Sequence, residues 1–212
     1  MNNFPKHLLQ GYHQFVDGRY AKDHQTYHQL AKGQAPTTMV IACCDSRAAP
    51  ETIFDCGPGE LFVVRNVANL VHGFAPDGGQ YCTSAGIEFA VKGLGVQHII
   101  VMGHARCGGI NAALNRSAAP LDAGDFIGKW ISLLDPVTAQ FADNGLMTAD
   151  ERQTALERIS IHNSITNLRT FPYVCDLEAQ GKLSLHGAWF DIKSGELWVM
   201  NDETGEFAQS NA

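Results

Sequence analysis

The 212-residue sequence predicts an α/β fold: a mainly parallel central β-sheet flanked by helices, with an N-terminal helical arm and a C-terminal antiparallel strand. Three observations carry that prediction. Three short apolar runs, Thr38 to Ala42, Leu61 to Val64 and His98 to Met102, are rich in β-branched residues and lack polar alternation, as strands buried on both faces do. Between the second and third, Ile87, Ala90, Val91 and Leu94 recur at i, i+3, i+4, i+7 behind the candidate caps Thr83 and Ser84, which marks a crossover helix. The chain ends in two further strand-like runs around a Lys193-Ser194-Gly195 turn.

The remaining elements follow in order. Phe4, Leu8, Leu9, Tyr12, Phe15 and Val16 have helical spacing, and a polar segment follows from Tyr20 to Lys32, so residues 1–33 read as two helices outside the sheet. Thr148 and Glu151 form a capping-box pair that opens a helix carrying Leu156, Ile159, Ile161, Ile165 and Leu168 and ending before Pro172. Pro172 then starts another helix, closed by Gly181. Leu183 to Ile192 and Glu196 to Met200 form the final hairpin. No repeat, low-complexity tract or Pro/Ser-rich linker breaks the chain, and residues 1–212 are expected to form one domain with the arm inside it.

Composition narrows the function classes. With 45% hydrophobic and 17% charged residues the chain can bury a real core. A net charge of -7 gives no electrostatic reason to expect nucleic acid or an anionic membrane as partner. No stretch is apolar enough to span a bilayer or resembles a secretion signal, and six cysteines are too few for a disulfide scaffold of this length. A reducing, cytoplasmic location is the expectation.

Chemistry concentrates at the ends of two strands. The run Met39 to Arg47 finishes in Cys43-Cys44-Asp45-Ser46-Arg47, and Ile99 to Met102 lead into Gly103-His104-Ala105-Arg106-Cys107-Gly108-Gly109. In parallel α/β sheets ligands bind just past the carboxyl ends of strands. A His and a Cys three residues apart at a strand-to-helix turn can face one point, and Cys43 would complete a Cys2His set for zinc. The alternative is that these are ordinary buried cysteines and a satisfied core histidine. Three protein ligands leave a fourth position for water, the mark of a catalytic zinc. Two thiolates neutralise the dication formally, so activity is expected to rise toward alkaline pH.

Asp45 is close enough to Cys43 either to accept a hydrogen bond from metal-bound water or to become the fourth ligand. A bidentate pairing with Arg47 would hold it off the metal, although a plain structural ion pair is the alternative. Gly108 and Gly109 present a similar choice: the Gly108 N–H could stabilise a developing oxyanion, or the glycines could serve only close packing. Nucleotide binding there has little support, since neither a Walker A nor a G-x-G-x-x-G pattern is present.

The motifs C-x-D-S-R at Cys43 to Arg47 and G-H-x-x-C-G-G at Gly103 to Gly109 resemble those of the β-class carbonic anhydrases. Pro58-Gly59-Glu60, Phe62 to Asn69, Ser84 to Val91 and His186 to Asp191 extend the resemblance in order and spacing from about Gln34 to Asp191. It implies a lyase with one Zn2+ per subunit on Cys43, His104 and Cys107, interconverting carbon dioxide and bicarbonate through zinc-bound hydroxide oriented by the Asp45–Arg47 dyad. It also implies at least a homodimer, with the substrate cleft at a subunit interface formed by the Gln34 amide and an apolar wall of Phe62, Val67 and Phe89. Some bacterial relatives hold inhibitory bicarbonate with a Trp, an Arg and a Tyr. Here those places carry Val40, Arg65 and Phe190, and with Gln34 this points to the open, plant-like subtype. Phe89 stands where many relatives have Tyr. Two rivals remain: a carbon disulfide or carbonyl sulfide hydrolase on the same scaffold, and a sensing module whose metal is closed by Asp45.

Overall fold

The computed structural model describes residues 3–77, 79, 81–115, 126–139, 141 and 146–210. Strands β1 (Thr38–Cys43), β2 (Leu61–Asn66), β3 (His98–His104), β4 (Ser184–Phe190), β5 (Leu197–Met200) and β6 (Phe207–Gln209) form one sheet in the order β2-β1-β3-β4-β5-β6. The first four are mutually parallel, and β5 and β6 return antiparallel. The α/β architecture is therefore as the apolar runs predict. The hairpin gains a third strand, β6, whose three residues Phe207-Ala208-Gln209 are too short to show a period in the sequence.

Alternate residues of the buried strands enter different cores, which is why their sequences show no polar alternation. Met39, Ile41, Ile99, Val101, Leu185 and Trp189 pack with Ile161, Ile165 and Leu168 of the long helix, while Val40, Ala42, Met102 and Ala188 pack toward Ile53 and Phe54. β1 lies between β2 and β3, so the crossover from β2 to β3 passes over it rather than joining neighbours. The chain thus leaves β1 for one side of the sheet and later returns on the other. That reversal opens a crevice beyond the carboxyl ends of β1 and β3.

Helices α1 (Lys6–Phe15) and α2 (His24–Leu30), joined by a wider π-type turn at Val16–Tyr20, form the arm, and neither has a buried residue. After α3 (Pro50–Ile53), helix α4 (Cys82–Glu88) continues through Phe89–Leu94 and carries Ile87, Ala90 and Val91 into the core. Its N-cap is Tyr81, not Thr83 or Ser84: Thr83 lies buried within the first turn, where its hydroxyl accepts the Asn66 amide at 3.1 Å. Short helices α5 (Gly108–Leu114), α6 (Phe126–Ile131) and α7 (Asp135–Thr138) surround the crevice, and α9 (Pro172–Ala179) is followed by Gly181 in the left-handed region at φ 66°.

The longest helix, α8 (Ala149–Leu168), starts at the predicted capping box, with Glu151 N–H on the Thr148 hydroxyl and Thr148 N–H on the Glu151 carboxylate. Its buried face is not purely apolar. Ser164 accepts the N–H of Val71 and donates to the carbonyl of Asn69, and Asn167 donates to the carbonyl of Val71. These bonds satisfy the irregular chain that follows β2, which a parallel sheet edge leaves without ladder partners. Among the described residues no helix is long and apolar enough to cross a membrane.

Candidate metal centre

β1 ends at Cys43 and the adjacent β3 ends at His104, so sheet pairing alone brings these side chains to the same crevice. The next turn adds Cys107. Arg106 adopts φ 56°, a left-handed conformation unfavourable for a residue with a Cβ, and this reverses the chain so that Cys107 caps α5 beside the other two. The candidate ligand atoms of Cys43, His104 and Cys107 all lie within 4.8 Å of one another, and each of these residues is buried. The two sulfurs are 3.9 Å apart. A tetrahedral zinc with Zn–S of about 2.3 Å requires a sulfur separation of about 3.8 Å.

Histidine chemistry agrees with that spacing. Nδ1 of His104 lies 2.9 Å from the carbonyl of Ala105, to which it donates, leaving the lone pair on Nε2. That Nε2 is buried and has no hydrogen-bond partner among the described residues. A buried orphan acceptor facing two thiols is what a metal ligand set looks like without its ion. The contact between the two sulfurs pulls the Cys43 thiol pKa down and pushes that of Cys107 up. For His104, burial acts downward, but the Cys43 sulfur and Ala105 carbonyl outweigh it.

Three backbone features support the ligands and have no signature in the sequence motifs. Ala68 and Asn69 are left-handed at φ 65° and 49°, and the Ala68 N–H points at Cys43 Sγ, 3.4 Å away. The carbonyl of the same peptide, on Val67, accepts the indole N–H of Trp130 at 2.7 Å. Arg65 donates to the carbonyls of Cys43 at 2.9 Å and Asp45 at 2.7 Å, pinning the loop that follows β1. Arg65 is thus engaged with the loop itself, while Val40 is fully buried and Phe190 lies opposite His104 in the sheet.

Asp45 and Arg47 form the forked pair that their spacing suggests. Arg47 donates from Nε to Oδ1 at 2.9 Å and from Nη2 to Oδ2 at 2.7 Å, and its backbone N–H adds a bond to Oδ1 at 3.0 Å. Nη2 also reaches the carbonyl of Arg106 at 3.2 Å, tying the β1 loop to the β3 loop. Asp45 Oδ2 stands 3.8 Å from His104 Nε2, beside the ligand atoms. The Arg47 guanidinium holds the Asp45 carboxyl well below the usual carboxylate range.

The remaining candidates are distributed unevenly. Phe62 and Phe89 pack ring to ring at 5.8 Å, and Val67 and Phe89 are exposed. Gln34 is exposed between α2 and β1, and none of the described residues hydrogen-bonds to it. A Cβ at Gly108 would meet nothing within 4 Å, so close packing does not explain that glycine. At Gly109 a Cβ would sit 2.8 Å from Val67 and 3.0 Å from Ala68, so there it does. Cys44 is exposed and its N–H continues the strand pairing to Asn66. Tyr81 donates to Asp77 at 2.9 Å, and that bond raises its pKa.

A mainly parallel α/β sheet with a Cys2His cluster that could hold a metal at its switch point defines the class of site, and comparison with known proteins gives the family. The carbonic anhydrase family profile matches residues 38–197. A carbonic anhydrase of Pseudomonas aeruginosa is 36% identical over 200 residues, covering 94% of this chain and 89% of the relative. The chloroplastic β carbonic anhydrase 5 of Arabidopsis thaliana is 37% identical over 180 residues, 82% of this chain and 57% of that longer protein. Among solved structures, the β-carbonic anhydrase CcaA superposes with a TM-score of 0.87 at 25% identity, covering 98% of this chain and 92% of that one. A tetrameric β-carbonic anhydrase of Sordaria macrospora gives 0.82 at 28% identity, covering 99% and 100%. The chain belongs to the β-carbonic anhydrase family.

Proposed function

We propose that this chain catalyses the zinc-dependent, reversible hydration of carbon dioxide to bicarbonate and a proton. The observation that carries the reading is the buried, unpartnered His104 Nε2 facing two sulfurs at zinc-compatible spacing. Cys43, His104 and Cys107 are the ligands, one ion per chain. When bound, zinc would supply a Lewis acid that lowers the pKa of water and so makes it nucleophilic.

The chain's own residues then set orientation. Asp45, ionised and held by Arg47, can only accept hydrogen bonds, so at the mouth of the centre it selects an oxygen that carries a proton. In the dehydration direction it receives bicarbonate through its hydroxyl. Arg47 keeps both carboxylate oxygens engaged, which opposes their coordination to the ion. Phe62, Val67 and Phe89 offer a neutral gas an apolar surface, and water held against such a wall is displaced at little cost. The Gly108 N–H is the candidate donor to a developing oxyanion.

The exposed apolar stripe of the arm, with Phe4, Leu8 and Tyr12 each more than half exposed, supports a homo-oligomer in which a second copy covers it. The tetrameric Sordaria relative points the same way. Such an assembly also gives Gln34, solitary in one chain, a place across the interface beside a neighbour's centre.

The test is carbon dioxide hydration by stopped flow on a sample whose zinc stoichiometry is measured, beside a sulfide-release assay with carbon disulfide. One zinc per chain with hydration activity is expected. Zinc-replete protein that is inactive on carbon dioxide, or active only on the disulfide, would overturn the reading. Acetazolamide, bound in a Coccomyxa β-carbonic anhydrase structure at 30% identity, serves as a ligand for a competition control.

A further inference from the structure

Helix α8 places Gln153 and Glu157, one turn apart, against the backbone of Cys107. The Cys107 N–H donates to Glu157 Oε1 at 3.0 Å, and Gln153 Nε2 donates to the Cys107 carbonyl at 3.3 Å and to the same Glu157 oxygen at 3.0 Å. The other carboxylate oxygen accepts the Trp189 indole at 3.1 Å. Glu157 is only 2% exposed, yet it stands in the apolar stripe of α8 between Leu156 and Ile161. Carboxylates seldom occupy such a position without a purpose for the charge.

The chemistry of this nest is one-sided. Among the described residues, the three hydrogen-bond partners of the Glu157 carboxylate are all N–H donors, so the nest is matched to the acceptor oxygens of a carboxylate. Burial raises the Glu157 pKa above its ordinary value, and the Cys107 N–H is the foremost of the bonds that oppose the rise. The segment it holds also needs holding. Arg106, immediately before Cys107, is in the left-handed region, a conformation that persists only where the surroundings over-determine it. Gln153 is itself braced by Asn111 of α5 at 3.1 Å, so the clamp joins α8, α5 and the ligand turn.

We propose that Glu157 is a positioning residue for the metal centre: with Gln153 it clamps both backbone groups of Cys107 and thereby presents the Cys107 sulfur to the ion beside Cys43 and His104. The proposal rests on the zinc assignment above. Glu157 acts through Cys107 and does not itself reach the reacting atoms. Sequence motifs miss it because it lies 50 positions beyond the second ligand turn, inside a helix that reads as core.

The experiment compares zinc retention of the holoprotein against a chromogenic chelator, the thiolate-to-metal band of the Co2+-substituted protein, and Tm. Four variants are used: Glu157→Leu, Gln153→Leu, Trp189→Phe and the double variant Glu157→Gln/Trp189→Phe. Glu157→Leu should weaken zinc retention by roughly 10- to 100-fold and shift the cobalt band. Gln153→Leu should move both in the same direction and covers the case in which Glu157→Leu does not fold. Trp189→Phe removes a donor that does not touch Cys107, so it should lower Tm while leaving zinc retention and the band as in wild type. In the double variant the amide oxygen can again face Cys107 without opposing the indole, and retention should return to that of Trp189→Phe. Zinc retention unchanged in folded Glu157→Leu and Gln153→Leu, or lost equally in Trp189→Phe, overturns the clamp. Wild-type protein that binds no zinc refutes the metal assignment instead, so the two failures are distinct.

Discussion

Arg47 grips both oxygens of Asp45 and, through the same Nη2, the carbonyl of Arg106, so one guanidinium joins the dyad to the turn that presents Cys107. The carboxylate it restrains is 3.8 Å from the free nitrogen of His104, within a side-chain rotation of the ligand cluster. Arg47→Ala should therefore leave zinc bound but let Asp45 swing onto the ion. Hydration should fall by roughly 10- to 100-fold, the range typical for loss of a partner that orients the groups around a metal. X-ray absorption on the zinc form should report a carboxylate oxygen in place of solvent. A variant with a solvent ligand and wild-type turnover removes the restraining role from Arg47.

The same pairing fixes a pH window. Asp45 is depressed chiefly by the Arg47 hydrogen bonds, with burial opposing. A carboxyl whose folded pKa lies below its unfolded value of about 3.9 adds stability that is present above that pH and is lost as pH falls through the folded value. The Tm difference between wild type and Asp45→Asn should thus be flat from mildly acidic to alkaline pH and narrow only in strong acid. Arg47 is half exposed, so solvent screening keeps the plateau small. A difference that changes around neutral pH would assign the titration to another group.

At the opposite end of the sheet, His98 Nδ1 and His186 Nε2 meet at 3.2 Å, each half-buried. One ring must donate and the other accept, so the contact tolerates at most one added charge. Burial depresses His186, the His98 ring adds to the effect, and Asp202 opposes it. Because the folded pKa lies below the unfolded one, the contribution is complete above about pH 6.5 and is lost as pH falls from there. Wild type should lose more Tm between pH 8 and pH 5 than His186→Asn does. Equal losses in differential scanning fluorimetry would show that the pair does not couple to folding.

What could be read from the sequence divides along physical lines. Burial on both faces left its mark in Thr38 to Ala42 and His98 to Met102, and Thr148 with Glu151 spelled out a helix start, because these signals span neighbouring residues. The convergence of Cys43, His104 and Cys107 and the pairing of Asp45 with Arg47 involve two short contiguous loops and were legible for the same reason. Glu157, Arg65, Trp130 and the peptide at Ala68 were not, since each acts on backbone atoms of residues far away in sequence. A charged residue in the apolar stripe of α8 was the one available sign of Glu157. Strand β6 and the N-cap at Tyr81 escaped because a three-residue strand has no period and Tyr is no capping residue.

Trp130 offers the sharpest separation between stability and metal chemistry. Its indole holds the Val67 carbonyl, and the N–H of that same peptide bonds to Cys43 Sγ. Trp130→Phe removes one hydrogen bond worth about 1 kcal/mol. It also frees the peptide to rotate, letting Ala68 leave the left-handed region, which relieves about 1–2 kcal/mol of strain. The two effects oppose each other, leaving the smaller indole packing as the remaining cost in stability. The sulfur loses its N–H donor, however, and becomes a stronger electron donor to the ion. The thiolate-to-metal band of the Co2+ form should therefore move to lower energy while Tm changes by only a few degrees. A large fall in Tm with an unmoved band would mean that Trp130 braces α6 and leaves Cys43 untouched.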